Sequence, residues 1–169
     1  MKPRASAVYT ATLFIVLLLI GCATPTSDNS NQSELPFWRG RLALKFEAAQ
    51  GQPGTQSFSA GFELSGNPQT GQLTLYTPMG TTAATLSWSA KNAILQADGD
   101  TRYFASLDAS IKEVLGTEIP VTALFAWLAG EKMAVVGWQV DLSQHVTGRI
   151  TARRIEPGPP AEIRLVLEK

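Results

Sequence analysis

The amino-acid sequence predicts an α+β, mainly β fold: a curved antiparallel sheet forming an incomplete, unclosed β-barrel, with short helices as a lid over an apolar cavity. Three observations carry this expectation. Apolar and polar residues alternate with period two from Phe37 onward, turn chemistry interrupts the alternation at short intervals, and only two short stretches have helical spacing. A sheet with one apolar face has to cover it, and two helices of about ten residues each are small beside roughly eight to eleven strands. The sheet must therefore curl around its cover, and a concave apolar surface under movable pieces is also a hydrophobic pocket.

The first element is an address. Met1 to Ile20 has a basic start, Lys2 and Arg4, and an apolar run peaking at Leu13–Ile20. The run is too short for a membrane span of about 20 residues and has the pattern of a secretory signal peptide. It stops at Leu19-Ile20-Gly21-Cys22, which resembles a bacterial lipobox and implies cleavage before Cys22 and acylation of its thiol. Cleavage removes Lys2 and Arg4, leaving 14 acidic against 12 basic side chains. Acyl chains contribute about 0.8 kcal/mol per buried CH₂, so two or three of them hold the chain in a membrane almost permanently. Ala23 rather than Asp follows the Cys, which leans towards the outer membrane, with the body facing the periplasm. Ala23–Leu35 is polar and rich in Ser, Thr and Asn, a flexible tether that reaches about 45 Å at most. The expected organisation is signal peptide 1–21, lipidated tether 22–35 and a half-barrel domain over 36–169.

In the body, Leu42, Leu44 and Phe46 alternate with polar neighbours, as do Phe58, Ala60, Phe62 and Leu64. Leu73 and Leu75, then Ala84, Leu86 and Trp88, then Ala93, Leu95 and Ala97 extend the meander. Gly66-Asn67-Pro68, Lys91-Asn92 and Asp98-Gly99-Asp100 supply the turns. A helix is expected where Leu107, Ile111, Val114 and Leu115 share a face, capped by Ser106 or Asp108 and stopped by Gly116. A second is expected around Leu124, Trp127 and Leu128, capped by Thr122 and ended by Gly130. Strands resume at Val136–Val140, Gly148–Ile155 and Glu162–Glu168, with Gly158-Pro159-Pro160 between the last two.

Composition removes several function classes. With 14 Lys+Arg against 14 Asp+Glu there is no basic footprint for nucleic acid. One Cys and one His cannot build a disulfide or a zinc site of ordinary ligand number, so no metal site is expected. Lipidation consumes the only thiol, no Ser sits in a nucleophile elbow, and His145 lies in a polar stretch that reads as an exposed loop. Glu47 and Glu63 point outward from their strands, and Arg149, Arg153 and Arg154 read as protection of an exposed edge. The chain is not expected to be an enzyme.

One hairpin stands out. Leu73–Tyr76 and the strand after Thr81 are joined by a tight turn with Pro78-Met79-Gly80 at its tip. Pro fixes φ and Gly permits positive φ, so Met79 should project from the turn, where on a lipid-anchored chain it is placed to enter a bilayer.

Here the sequence resembles the LolB family of outer-membrane lipoproteins. The resemblance rests on Trp38-Arg39-Gly40-Arg41, on Leu75-Tyr76-Thr77-Pro78-Met79-Gly80-Thr81, and on Gly116-Thr117-Glu118-Ile119-Pro120 followed by Leu124, Trp127, Leu128 and Gly130. It implies an eleven-stranded unclosed barrel with a helical lid, no cofactor and no covalent chemistry. The implied partners are the periplasmic carrier LolA, triacylated lipoprotein clients and outer-membrane lipid, with the chain acting as a monomer that accepts clients and inserts them into the outer membrane. The loop-tip residue that drives insertion is Leu in well-known members and Met79 here; Met is comparably apolar. Acyl-chain pocket positions would be Leu42, Leu44, Phe46, Phe58, Phe62, Leu73, Leu75, Leu86, Trp88, Leu95, Leu124, Trp127 and Leu128. A second class remains open: a structural or assembly-factor lipoprotein that binds another envelope protein.

Overall fold

The computed structural model describes residues 35–47, 55–115, 118–156 and 160–168. The signal segment, Cys22, the tether up to residue 34, Gly116 and Gly158-Pro159 lie outside them. Within the described residues nine strands form one antiparallel sheet: β1 (Phe37–Glu47), β2 (Thr55–Asn67), β3 (Thr70–Tyr76), β4 (Thr82–Trp88), β5 (Ala93–Ala97), β6 (Asp100–Phe104), β7 (Trp138–Asp141), β8 (Arg149–Arg154) and β9 (Ala161–Leu167). Helices α1 (Leu107–Leu115) and α2 (Val121–Leu128) fall between β6 and β7. The spatial order is β6-β5-β4-β3-β2-β1-β9-β8-β7, so the edges β6 and β7 do not pair and the curled sheet stays open. That is the incomplete barrel the alternation predicts, with nine described strands where the family resemblance implies eleven.

Register explains the core. Leu95, Leu86, Leu73 and Leu64 are cross-strand neighbours in one row that continues to Trp38. Ile150, Leu165, Leu42 and Ala60 form a second row. A one-residue slip would turn each row to solvent, so the alternation that predicts the strands also pins their pairing. Gly40 sits where β1 meets β9 so closely that a Cβ would strike the Val166 carbonyl oxygen.

Five expectations need correction. β6 is absent from the predicted strands because it is an edge strand with mostly exposed residues, Tyr103 at 75% exposure among them, so it carries no burial alternation. The strand expected from Val136 begins at Trp138, because Val135–Trp138 closes a turn through a Trp138 N–H to Val135 carbonyl bond of 3.1 Å. Thr122 does not cap α2; it is an exposed helical residue, and Pro120 takes the cap position, its carbonyl accepting from Leu124 N–H at 2.9 Å. The Arg149–Arg154 strand is not an edge, since β9 and β7 flank it. Arg153 instead donates to Glu162 across the ladder at 2.6 Å, and Arg154 lies 6.0 Å over the Trp138 ring. Hydrogen bonding from Arg153, joined by Arg164, lowers the Glu162 pKa. The stability it contributes is present above the unfolded-state value and is lost as pH falls through the lowered folded one.

The first helix is capped by Ser106, whose Oγ accepts from Ala109 N–H at 3.2 Å. The second ends at Gly130, φ +82°, as expected. His145 is not in an exposed loop. It is half-buried, its Nε2 lies 3.0 Å from the Leu128 carbonyl oxygen, and its ring occupies the space a Cβ at Gly130 would need. The turn His145–Thr147 thus returns beneath the end of α2 and holds it. Gly130→Ala is expected to lose about 1–3 kcal/mol from the φ alone and more from the ring contact. Gly99→Ala, at φ +81° in open space, should lose only the first part, and paired thermal melts of the two variants measure the difference.

Candidate functional site

The concave face and the helices enclose a cavity of about 60 Å³ whose lining side chains are all apolar. Strands contribute Leu42, Phe62, Leu64, Leu73, Leu86, Trp88, Ile163 and Leu165. Leu107, Ile111, Ile119, Val121, Leu124, Phe125 and Leu128 close it from α1, α2 and the segment joining them. Phe125 is the wedge. Its ring meets Trp38 at 5.8 Å and Trp88 at 6.2 Å, both edge-to-face. Trp88 is fixed in turn by an Nε1–H bond to the Asn67 carbonyl at 2.9 Å, and its ring lies over Gly71, where a Cβ would collide with it.

Of the positions anticipated from sequence, Leu42, Phe62, Leu73, Leu86, Trp88, Leu124 and Leu128 line this cavity. Leu44, Leu75 and Leu95 do not border it, although they belong to the same buried core as its walls. Trp127 is equally buried, but it packs on Trp138 and donates Nε1–H to the Met133 carbonyl. Phe46 and Phe58 are half-buried against the same core, with Phe46 beside a surface groove near the sheet end. Alternation assigns a face but not a depth along it, so filled and open positions look alike in sequence. It also misses Ile163 and Leu165 as cavity residues, because their strand is legible but its place beside β1 is not. A difference in cost should separate the two groups. Leu44→Ala should cost about 2–5 kcal/mol by denaturant unfolding, and half-buried Leu124→Ala distinctly less, because its side chain already borders empty space.

The β3–β4 hairpin is built for a rigid tip. Gly80 N–H donates to the Thr77 carbonyl and Thr77 N–H to the Thr81 carbonyl, both at 2.9 Å, while the two threonine hydroxyls bond at 2.8 Å. Gly80 has φ +83°, as the turn demands. Below the tip, Leu75 is buried and Tyr76 O–H donates to Glu63 at 2.8 Å, an interaction that raises the tyrosine pKa. Above it, Met79 is 93% exposed. The motif Leu75–Thr81 therefore divides into residues that anchor the hairpin and one apolar side chain that the hairpin presents.

The helices are tied to the sheet mainly by apolar packing. Among the described residues the polar ties include two exposed ones, Arg102 to Glu113 at 2.7 Å and Arg154 Nη1 to the Glu118 carbonyl at 3.4 Å, and the part-buried contact of His145 with the Leu128 carbonyl. An open groove of about 430 Å³ lies beside the cavity and shares the wall residue Ile119 with it.

The family model described as outer membrane lipoprotein LolB matches residues 38–156, most of the chain, from Trp38 at the head of β1 to the end of β8. The chain belongs to the LolB family. The match takes in the Met79 hairpin, both helices and eight of the strands, leaving β9 beyond it. Relatives carrying the name outer-membrane lipoprotein LolB include that of Bordetella petrii, 29% identical over 176 positions covering 90% of this chain and 87% of the relative. That of Bordetella pertussis is 28% identical over 90% of its own length, and that of Shewanella frigidimarina is 27% identical over 78% of this chain and 65% of the relative. Membership in LolB places the chain among outer-membrane lipoproteins, on a fold whose cavity is apolar throughout.

Proposed function

We propose that this chain accepts lipoproteins from the periplasmic carrier LolA and inserts them into the outer membrane, anchored there through acylated Cys22 on its 22–35 tether. The observation that carries the proposal is the all-apolar cavity roofed by two helices that packing, rather than backbone ladders, holds in place.

A volume of about 60 Å³ is less than half the ~150 Å³ apolar cavity that holds one benzene, so an acyl chain cannot enter the closed form. Uptake requires α1 and α2 to move, with client chains taking the places of Phe125, Leu124 and their neighbours against the sheet. The exchange is apolar for apolar and costs little, whereas each CH₂ left in water would cost about 0.8 kcal/mol. Release into the bilayer follows if lipid solvates the chains better than a half-open pocket does. Met79 enters the bilayer first and brings the mouth of the pocket to it. Every step is a transfer between apolar environments, and no bond is made or broken.

The test mixes the purified, processed protein with LolA carrying a lipoprotein and asks whether the client changes hands. Client recovered with this chain, and then in added liposomes, is the expected outcome. Retention by the carrier at any concentration would overturn the proposal in favour of an assembly-factor role.

A further inference from the structure

We infer that Val136 is a second lipid-contacting point, on the same rim of the open sheet as Met79, so that the body rests on the bilayer at two places. The inference rests on the membrane role proposed for Met79 and extends it. Val136, like Met79, is 93% exposed. Each occupies a short hydrogen-bonded turn and is followed directly by a glycine of positive φ, Gly80 at +83° and Gly137 at +79°. The Val136 turn is braced further, since Ile155 N–H donates to the Gly137 carbonyl at 2.7 Å. Ile155 is itself 50% exposed, which widens the apolar point.

Register places both turns on one rim. Tyr76, before the first turn, pairs with Gly61 and through it lies level with Arg41. Trp138, after the second, pairs with Arg154, then Ala161, and so lies level with Phe46. The strand ends therefore step by five residues over five strand-to-strand steps, the stagger that strand tilt produces in a curled sheet. At about 4.8 Å per strand across the sheet and about 3.3 Å per residue along it, the two points are about 29 Å apart over the sheet surface. One point would let the body swivel; two on opposite flanks fix which rim faces the lipid. The groove beside the cavity opens between α1 and the Val136 turn, next to the second point.

A lipid surface is the occupant that the chain's length and family favour. The chain belongs to a family of outer-membrane lipoproteins. The tether expected from the sequence leads into the Phe37 end of β1, and its upper limit of about 45 Å exceeds a strand length of about 36 Å, so its length does not prevent the far rim from meeting the bilayer. The opposite end supplies a control, Val146, which is 81% exposed in the turn after β7.

Lipidation removes the only native thiol, so Met79→Cys, Val136→Cys and Val146→Cys each give the mature protein one reactive site. Each is labelled with an environment-sensitive fluorophore and reconstituted in phosphatidylethanolamine–phosphatidylglycerol vesicles containing a lipid-borne quencher. Quenching at positions 79 and 136 but not at 146 is expected. Quenching at 79 alone overturns the second contact and leaves the role of Met79 standing; quenching at none of them removes the membrane role itself. A response at 136 only on addition of LolA would overturn the lipid assignment in favour of a protein contact. Independently, Val136→Glu should slow delivery into these vesicles about tenfold, the size expected for a carboxylate at the edge of the hydrocarbon, with client uptake and melting temperature unchanged. Unchanged delivery would overturn the inference.

Discussion

Met79→Glu is expected to abolish delivery of lipoprotein clients into liposomes while leaving their uptake from LolA intact. The side chain is 93% exposed at a turn whose hydrogen bonds all come from Thr77, Gly80 and Thr81, so folding should not register the change beyond about 0.5 kcal/mol. A carboxylate entering the hydrocarbon region costs about 2.5–3.5 kcal/mol on insertion scales, enough to slow the step by two orders of magnitude. Met79→Leu should match or exceed the parent. Delivery, uptake and melting are measured side by side for the three proteins. Normal delivery by Met79→Glu would end the insertion role, and a joint fall in all three quantities would make the hairpin tip part of the folding core instead.

Phe62→Asp should produce the largest loss of stability. Phe62 is 4% exposed, pairs with Gly40 and Leu75, and walls the cavity under α2. Removing the ring costs about 3–5 kcal/mol, and an unpaired carboxyl in an apolar site adds several more, a sum comparable to the whole stability of a domain this size. Burial raises the pKa of the introduced carboxyl, so the deficit should be greatest above that value and shrink as pH falls and the group protonates. Phe62→Leu keeps the site apolar and should cost less than about 1.5 kcal/mol while still binding an apolar dye. Urea unfolding at two pH values tests the sign. A Phe62→Asp protein as stable as the parent would show that the side chain is not committed to the interior.

How much of the fold and of the cavity is legible in the sequence depends on whether a signal is local. Period-two alternation determines the strands from Leu42 to Ala97 and, through it, one apolar face, because adjacent Cβ atoms leave a strand on opposite sides whatever lies beyond. Pro78-Met79-Gly80 determines its turn for the same reason, since φ preferences belong to the residues themselves. The Met79 tip is therefore readable from the residues alone, and so is the family.

Other features are decided only by tertiary structure. β6 exists because β5 offers it a ladder, not because Asp100–Phe104 prefers to be extended and half-buried. Pro120 rather than Thr122 begins α2, because the chain's path out of Ile119 fixes where the first helical bond forms. His145 supports the end of α2 from 17 residues away, a contact no local pattern encodes. The division of the apolar face into core away from the cavity at Leu44, Leu75 and Leu95 and cavity wall at Leu42, Phe62 and Leu86 is likewise beyond the sequence. Alternation says which side of a strand a residue occupies. How closely the helices approach that side at each level depends on where Phe125 and its neighbours come to rest, which only the packed structure decides.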